Sequence, residues 1–177
     1  MEIVIPNWAP VGAGRLGLNH RPKRASFEGL KAAGCDLVVT LLCAREGAEG
    51  IGERVQQVGM DWLWLPLENG RLPLGEAHQM LAASLPELSA RLDRGQTLLF
   101  HCSAGIHRTG MLAYGLLRWR GLDDVEAMRL IAQARRFTAE GLTQVQKKWA
   151  DRIGACSPAD AVQAFHVHLH RGDSQRA

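Results

Sequence analysis

Ten consecutive residues constrain this chain more than any other stretch: His101-Cys102-Ser103-Ala104-Gly105-Ile106-His107-Arg108-Thr109-Gly110. They follow Thr97-Leu98-Leu99-Phe100-His101, an apolar run of strand length, and lead into helical periodicity over Arg108–Trp119. A loop that leaves a buried strand and enters a helix can turn successive backbone N–H groups inward, and the helix adds its positive N-terminal end. Such a nest holds a dianionic phosphate without a lysine.

The residue types then have definite uses. A free thiol is only a few per cent thiolate near neutrality, and a nest of N–H dipoles at a helix N-terminus favours the anion, the nucleophilic form of Cys102. Arg108 lies six positions on, where a closed loop returns its guanidinium to the same anion, and planar bidentate donation suits phosphate oxygens better than a lysine point charge. Thr109 offers a hydroxyl to a departing thiolate. Gly105 and Gly110 allow tight turning and close backbone approach. Backbone groups of Ser103, Ala104, Gly105, Ile106 and His107 are the candidate anion ligands, with Arg108.

Around this segment the chain reads as an α/β fold, a central, mostly parallel sheet flanked by helices. Asp36–Cys43 is a β-branched run behind Gly34 and reads as a buried parallel strand, and Trp62–Pro66 as another. Arg15–Leu18 reads as an edge strand, with Ile3–Ile5 a weaker candidate. Helical patterns cover Ala25–Ala33, Gly75–Leu92, Asp123–Ala134 and Gly141–Ile153, with Asp123 or Asp124 at the N-terminus of the third. Residues 1–156 are expected to form one catalytic domain and 157–177 a polar tail, with a short helix over Ala159–His170.

Composition narrows the function classes. With 46% hydrophobic residues in 177, the chain can bury a full core. The net charge of +3 is small and unclustered, which argues against a nucleic-acid or membrane surface. The start of the chain has no secretory pattern and no apolar run is long enough to span a bilayer, so the cytoplasm is the expected compartment. Cys35, Cys43, Cys102 and Cys156 have no zinc-type spacing and read as free thiols.

The loop resembles the signature of the cysteine-dependent protein tyrosine phosphatase superfamily: His-Cys, five residues, then Arg-Ser/Thr. His101, Cys102, Gly105, Arg108, Thr109 and Gly110 all match it. From Leu16 to Ile153 the order of elements is similar to the compact dual-specificity branch, of the cyclin-dependent-kinase-associated type. Val38–Glu46 and Trp64–Leu67 precede the phosphate loop (P-loop) in the expected order. The resemblance implies a metal-free, cofactor-free phosphomonoesterase working through a phosphocysteine on phosphorylated proteins or small phosphomonoesters. No counterpart of the deep-pocket phosphotyrosine-recognition loop is visible. The P-loop also lacks the lysines typical of phosphoinositide 3-phosphatases, and His107 stands where glycine is common.

One element departs from the family. Related sequences carry a general-acid Asp in Pro-x-x-Asp-Gly-x-x-Pro, and this chain reads Pro66-Leu67-Glu68-Asn69-Gly70-Arg71-Leu72-Pro73. Asn69 cannot donate the proton, although it can touch substrate; Glu68 is one residue away and is the substitute acid or a solvated loop acid. Losing an acid costs about 10²–10⁴-fold, less for a phenol leaving group than for an alkoxide. Gln144 falls where the family's water-positioning glutamine is expected, with Gln146 the alternative.

Other features carry bland readings. Cys43 packs in the core, or forms a reversible disulfide with Cys102. His166, His168 and His170 read as exposed tail imidazoles rather than metal ligands. Arg21, Lys23, Arg24, Arg135 and Arg136 read as solvated charges, and Trp62 and Trp64 as core. The competing function is a phosphate-binding pseudophosphatase or regulatory module with weak turnover, which Asn69 keeps open. A rhodanese-like sulfur transferase also puts cysteine in such a loop, but the Arg-Thr-Gly ending points to phosphate.

Overall fold

The structure, a computed structural model, describes residues 6–155. The candidate Ile3–Ile5 strand, Cys156, the tail helix and the tail histidines lie outside the described residues. Among the described residues, five strands form one sheet: β1 (Trp8–Val11), β2 (Gly14–Asn19), β3 (Leu37–Thr40), β4 (Asp61–Trp64) and β5 (Thr97–His101), in the order β1-β2-β5-β3-β4. Only the β1–β2 pair is antiparallel. Thr97–His101 is a strand throughout, and all five of its residues are buried.

The predicted edge strand is therefore inside the sheet. The edge beyond it is β1, joined to β2 by a two-residue turn at Gly12-Ala13. Its Pro10 masks the strand in the sequence, yet proline is tolerated where an edge leaves the N–H side unpaired.

Among the described residues, seven α-helices surround the sheet: α1 (Phe27–Ala32), α2 (Ala48–Gln57), α3 (Glu76–Asp93), α4 (His107–Trp119), α5 (Asp124–Ala134), α6 (Arg136–Gly141) and α7 (Gln144–Gly154). Asp123 caps α5 by accepting from Glu126 N–H at 2.8 Å. The helix expected over Gly141–Ile153 is α7, starting later at Gln144, because Gly141 ends α6 and Thr143 caps α7 in a box with Gln146; α6 itself is not among the expected helices. α2 gave no clear helical pattern because Gly50 and Gly52 depress its propensity. Packing explains Gly52: a Cβ there would lie 2.5 Å from the Trp62 ring.

α4 is the central helix. It contacts β5, β2, α3, α5, α6 and α7, and is buried from Arg108 through Leu117. A helix enclosed on all sides must be apolar on all sides, as Met111–Leu117 is. Its N-terminus is thus fixed by the core itself.

The strand register decides where the site forms. Asn19, His101, Thr40 and Trp64 stand side by side in one row across β2, β5, β3 and β4. These four parallel strands end level, so the segments after them converge on one edge, where open α/β sheets bind ligands.

Candidate active site

Cys102 follows the end of β5 and is 3% exposed, and its Sγ accepts from Gly105 N–H at 3.2 Å. The loop closes over it through Gly105, at φ +70°, where a Cβ would sit 2.3 Å from the Asn19 carbonyl. Only glycine meets both conditions. The Gly105 carbonyl faces the other way and accepts from Thr138 Oγ1 at 2.5 Å and Arg135 Nη1 at 2.8 Å. The far side of the loop is tied to the β2 exit, where Arg21 N–H donates to the Ser103 carbonyl at 3.0 Å.

Arg108, on the first turn of α4, is buried, and Glu46 clamps it from both oxygens: Nη1 donates to Oε2 at 2.7 Å and Nη2 to Oε1 at 3.0 Å. Nη1 also reaches the Leu67 carbonyl at 3.0 Å and the Leu41 carbonyl at 3.3 Å. Burial works against the Arg108 charge, but Glu46 and the Cys102 sulfur more than offset it and hold the guanidinium charged. Glu46 is in turn placed by a 3-10 turn, Ala44–Glu46, where its Oε2 accepts from Cys43 N–H at 2.9 Å. Arg108 in turn holds the Glu46 carboxyl below the usual carboxylate range.

Behind the loop, Trp62 Nε1 donates to Thr40 Oγ1 at 2.9 Å, and Thr40 Oγ1 lies 2.8 Å from His101 Nε2. His101 Nδ1 is 3.3 Å from the Cys102 carbonyl. Every group is satisfied if Thr40 donates to Nε2 and a neutral His101 donates from Nδ1. Burial pushes the His101 imidazole down to about 4, in keeping with that neutral form.

Thr109 Oγ1 is the exception. It is fully buried and has no hydrogen-bond partner among the described residues. A hydroxyl left so costs about 1–3 kcal/mol.

A sequence model of the tyrosine phosphatase family matches residues 56–167, which include the whole loop. The chain belongs to the tyrosine phosphatase family. None of the curated proteins matches it in sequence. Among solved structures it is similar to Tk-PTP in its active form, at TM-score 0.67 and 22% identity over 85% of this chain and 98% of that one. Kinase associated phosphatase superposes at TM-score 0.69 and 17% identity, covering 89% and 99% of the two chains. The core catalytic domain of the PP-IP phosphatase SIW14 from S. cerevisiae gives 0.61 and 16%, covering 85% and 87%. All three are phosphatases and share the fold.

This phosphatase therefore has a cysteine at the floor of a strand-to-helix loop and a carboxylate-clamped arginine on the following helix. The groups outside the loop are arranged less simply. Glu68 and Asn69 are exposed on the segment after β4, and Glu68 is ion-paired with Arg45. Glu68 and Cys43 border a cleft of ≈ 290 Å³ that also takes in Arg71 and Leu74. Cys43 is half-buried at this rim rather than packed in the core; its thiol donates to the Leu67 carbonyl at 3.2 Å and lies 3.6 Å from Glu68 Oε1. Burial, with Glu68 and Glu46 adding, raises the Cys43 pKa and favours the neutral thiol. Trp149 of α7 donates to the Pro73 carbonyl at 2.7 Å and anchors the end of the Glu68–Asn69 segment.

Gln144 is exposed at the start of α7. Gln146 lies nearer the loop: its Oε1 is 3.3 Å from His107 Nδ1, and both line a cleft of ≈ 310 Å³ with Arg71 and Arg108. Two groups escaped the sequence reading. Glu46 carried no motif of its own, although its three-residue spacing from Cys43 is that of a capping box. Arg135 was set aside among the surface cations, yet it holds the Gly105 carbonyl.

Proposed function

We propose that this chain is a cysteine-dependent phosphomonoesterase. The observation that carries the reading is the pairing of a buried Cys102 Sγ, facing an inward N–H, with a buried Arg108 fixed in a carboxylate fork. In the first step Sγ attacks phosphorus, an S–P bond forms, and the bond to the ester oxygen breaks. That oxygen leaves with a proton from an acid or from water. In the second step water attacks phosphorus, the S–P bond breaks, and inorganic phosphate and the thiolate are released. The backbone N–H groups from Ser103 to Arg108 and the guanidinium carry the equatorial oxygens, and Thr109 donates to the departing thiolate.

The acid is the open position. Glu68 is the candidate, and its partner Arg45 must release it for protonation. Asn69 at the usual acid position favours a second reading, a phosphate-binding module with weak turnover. Phosphate release from an aryl phosphate and from phosphotyrosine and phosphoserine peptides, without metal, separates the two. Turnover lost in Cys102→Ser establishes the enzyme; loss in Glu68→Gln assigns the acid, and a large gain in Asn69→Asp shows that it is missing. Phosphopeptide binding without turnover on any substrate would sink the enzymatic reading.

A further inference from the structure

His101 and Thr40 are register partners on β5 and β3, polar and fully buried. Polar side chains so placed are kept for their hydrogen bonds, and here the bonds run in one direction. The Trp62 indole can only donate, and its Nε1 donates to Thr40 Oγ1 at 2.9 Å. The Thr40 hydroxyl has one proton of its own and, besides Trp62, one partner among the described residues, His101 Nε2 at 2.8 Å. That proton therefore goes to Nε2. A neutral imidazole accepting at Nε2 carries its own proton on Nδ1, which lies 3.3 Å from the Cys102 carbonyl. The opposite tautomer would strand the Thr40 proton and set the Nδ1 lone pair against a carbonyl oxygen.

Both ends of this chain of bonds are anchored. The Trp62 ring fills the space left by Gly52 and stacks on Trp64 with the ring centres 5.8 Å apart, and Trp64 Nε1 donates to the Leu42 carbonyl at 2.7 Å. At the other end, three carbonyls of the phosphate loop are held from outside it. His101 holds that of Cys102, Arg21 N–H that of Ser103, and Thr138 with Arg135 that of Gly105. In a planar trans peptide the N–H points opposite to the C=O, so a carbonyl held from outside turns the next N–H inward. For the Cys102 carbonyl, that N–H belongs to Ser103.

We propose that Trp62 and Thr40 are positioning residues for the phosphate site: through His101 they hold the Cys102 carbonyl back and aim the Ser103 N–H at the bound oxyanion. Neither residue touches substrate. Aligned hydrogen bonds polarise one another, so losing the first weakens the last. Trp62 thereby acts from β4, two strands away from the strand that leads to Cys102. The inference rests on the reading that residues 102–108 hold the phosphate, and it adds what aims their first N–H.

Nitrogen NMR of ring-labelled histidine and inhibition by inorganic phosphate test this together. In wild type the His101 ring, assigned by its loss in His101→Gln, should carry a proton on Nδ1 and none on Nε2. Thr40→Val removes the hydroxyl and keeps the shape. It should move the Nδ1 proton signal toward that of an unbonded imidazole. It should also weaken phosphate inhibition and lower kcat/KM for phenyl phosphate by about three- to ten-fold each, less than losing a whole oxyanion donor. Trp62→Phe should move all three readouts the same way, and Thr40→Ser should restore them. A proton on Nε2 in wild type overturns the proposal, and so does a smaller change in phosphate inhibition in folded Thr40→Val. If that variant does not fold, Trp62→Phe decides, and unchanged phosphate inhibition there overturns the proposal. A wild type that neither binds phosphate nor cleaves phenyl phosphate overturns the phosphatase reading itself, and the proposal with it.

Discussion

Replacing Glu46 by Gln keeps the shape of the clamp and removes its charge. In the wild type two charge-assisted bonds, at 2.7 and 3.0 Å, join Glu46 to Arg108, whose side chain is 3% exposed. A glutamine retains one acceptor and turns an NH₂ group toward guanidinium N–H donors, so one bond is lost and a donor–donor clash replaces it. Breaking a buried pair from one side costs about 3–5 kcal/mol. Two features lower that figure here: Glu46 keeps 23% exposure, and the Leu41 and Leu67 carbonyls still hold Nη1. The expected loss is about 2–3 kcal/mol, or roughly 5–10 °C in Tm for a domain of this size. The sign with pH follows from the Arg108 hydrogen bonds, which depress the Glu46 pKa. The stabilisation is complete above the unfolded carboxyl value of about 4.3 and is lost as pH falls through the lower folded value. Urea unfolding of both proteins at pH 7 and near pH 3 measures this: the gap between them should close in acid. Phosphatase kcat/KM should fall by at least about tenfold, because a loosened guanidinium no longer meets the phosphate in register. A stability change under about 0.5 kcal/mol with kcat/KM unaltered would refute the clamp.

Two further predictions concern the loop. His101 is fully buried with its imidazole pushed down to about 4, so the unfolded chain takes up a proton first as pH falls. Between about pH 6.5 and 4 this removes on the order of 3 kcal/mol of stability, and His101→Gln should flatten the slope in denaturant titrations; an unchanged slope would assign it elsewhere. Gly105→Ala puts a Cβ 2.3 Å from the Asn19 carbonyl at a φ of +70°, against backbone that cannot step aside. Cys102-dependent turnover should fall by at least about 10²-fold, and a variant as active as wild type would show that the loop need not close this way.

The sequence made the centre of the site legible and its surroundings obscure, for physical reasons. β5 is a continuous apolar run ending in a spaced Cys-to-Arg loop, so strand, loop and helix advertise themselves within twenty residues. Glu46 meets Arg108 across 62 residues of chain, and that pairing follows from strand register, which local pattern does not encode. α2 hides behind Gly50 and Gly52, of which Gly52 makes room for the Trp62 ring, and β1 behind a proline that an edge strand tolerates. At Gln144 and Gln146 the difficulty is finer: two glutamines two positions apart on a helix point differently, and the start of α7 after Thr143 decides which one approaches His107.

The level ending of the four parallel strands has an electrostatic consequence. Arg108 comes with Glu46, so the pair brings almost no net charge to a site meant for a dianion. The balancing charge must come from elsewhere: from the inward N–H groups, from the α4 N-terminus and from Arg135. Of these, Arg135 alone carries a full charge, with no ion pair among the described residues. The clamp therefore serves direction and the loop serves charge, which explains why a buried arginine is held by carbonyls and a carboxylate rather than left free. Arg135, which reads as a solvated charge in the sequence, is tied instead to the outer face of the loop, close enough for the Cys102 sulfur to favour its charge.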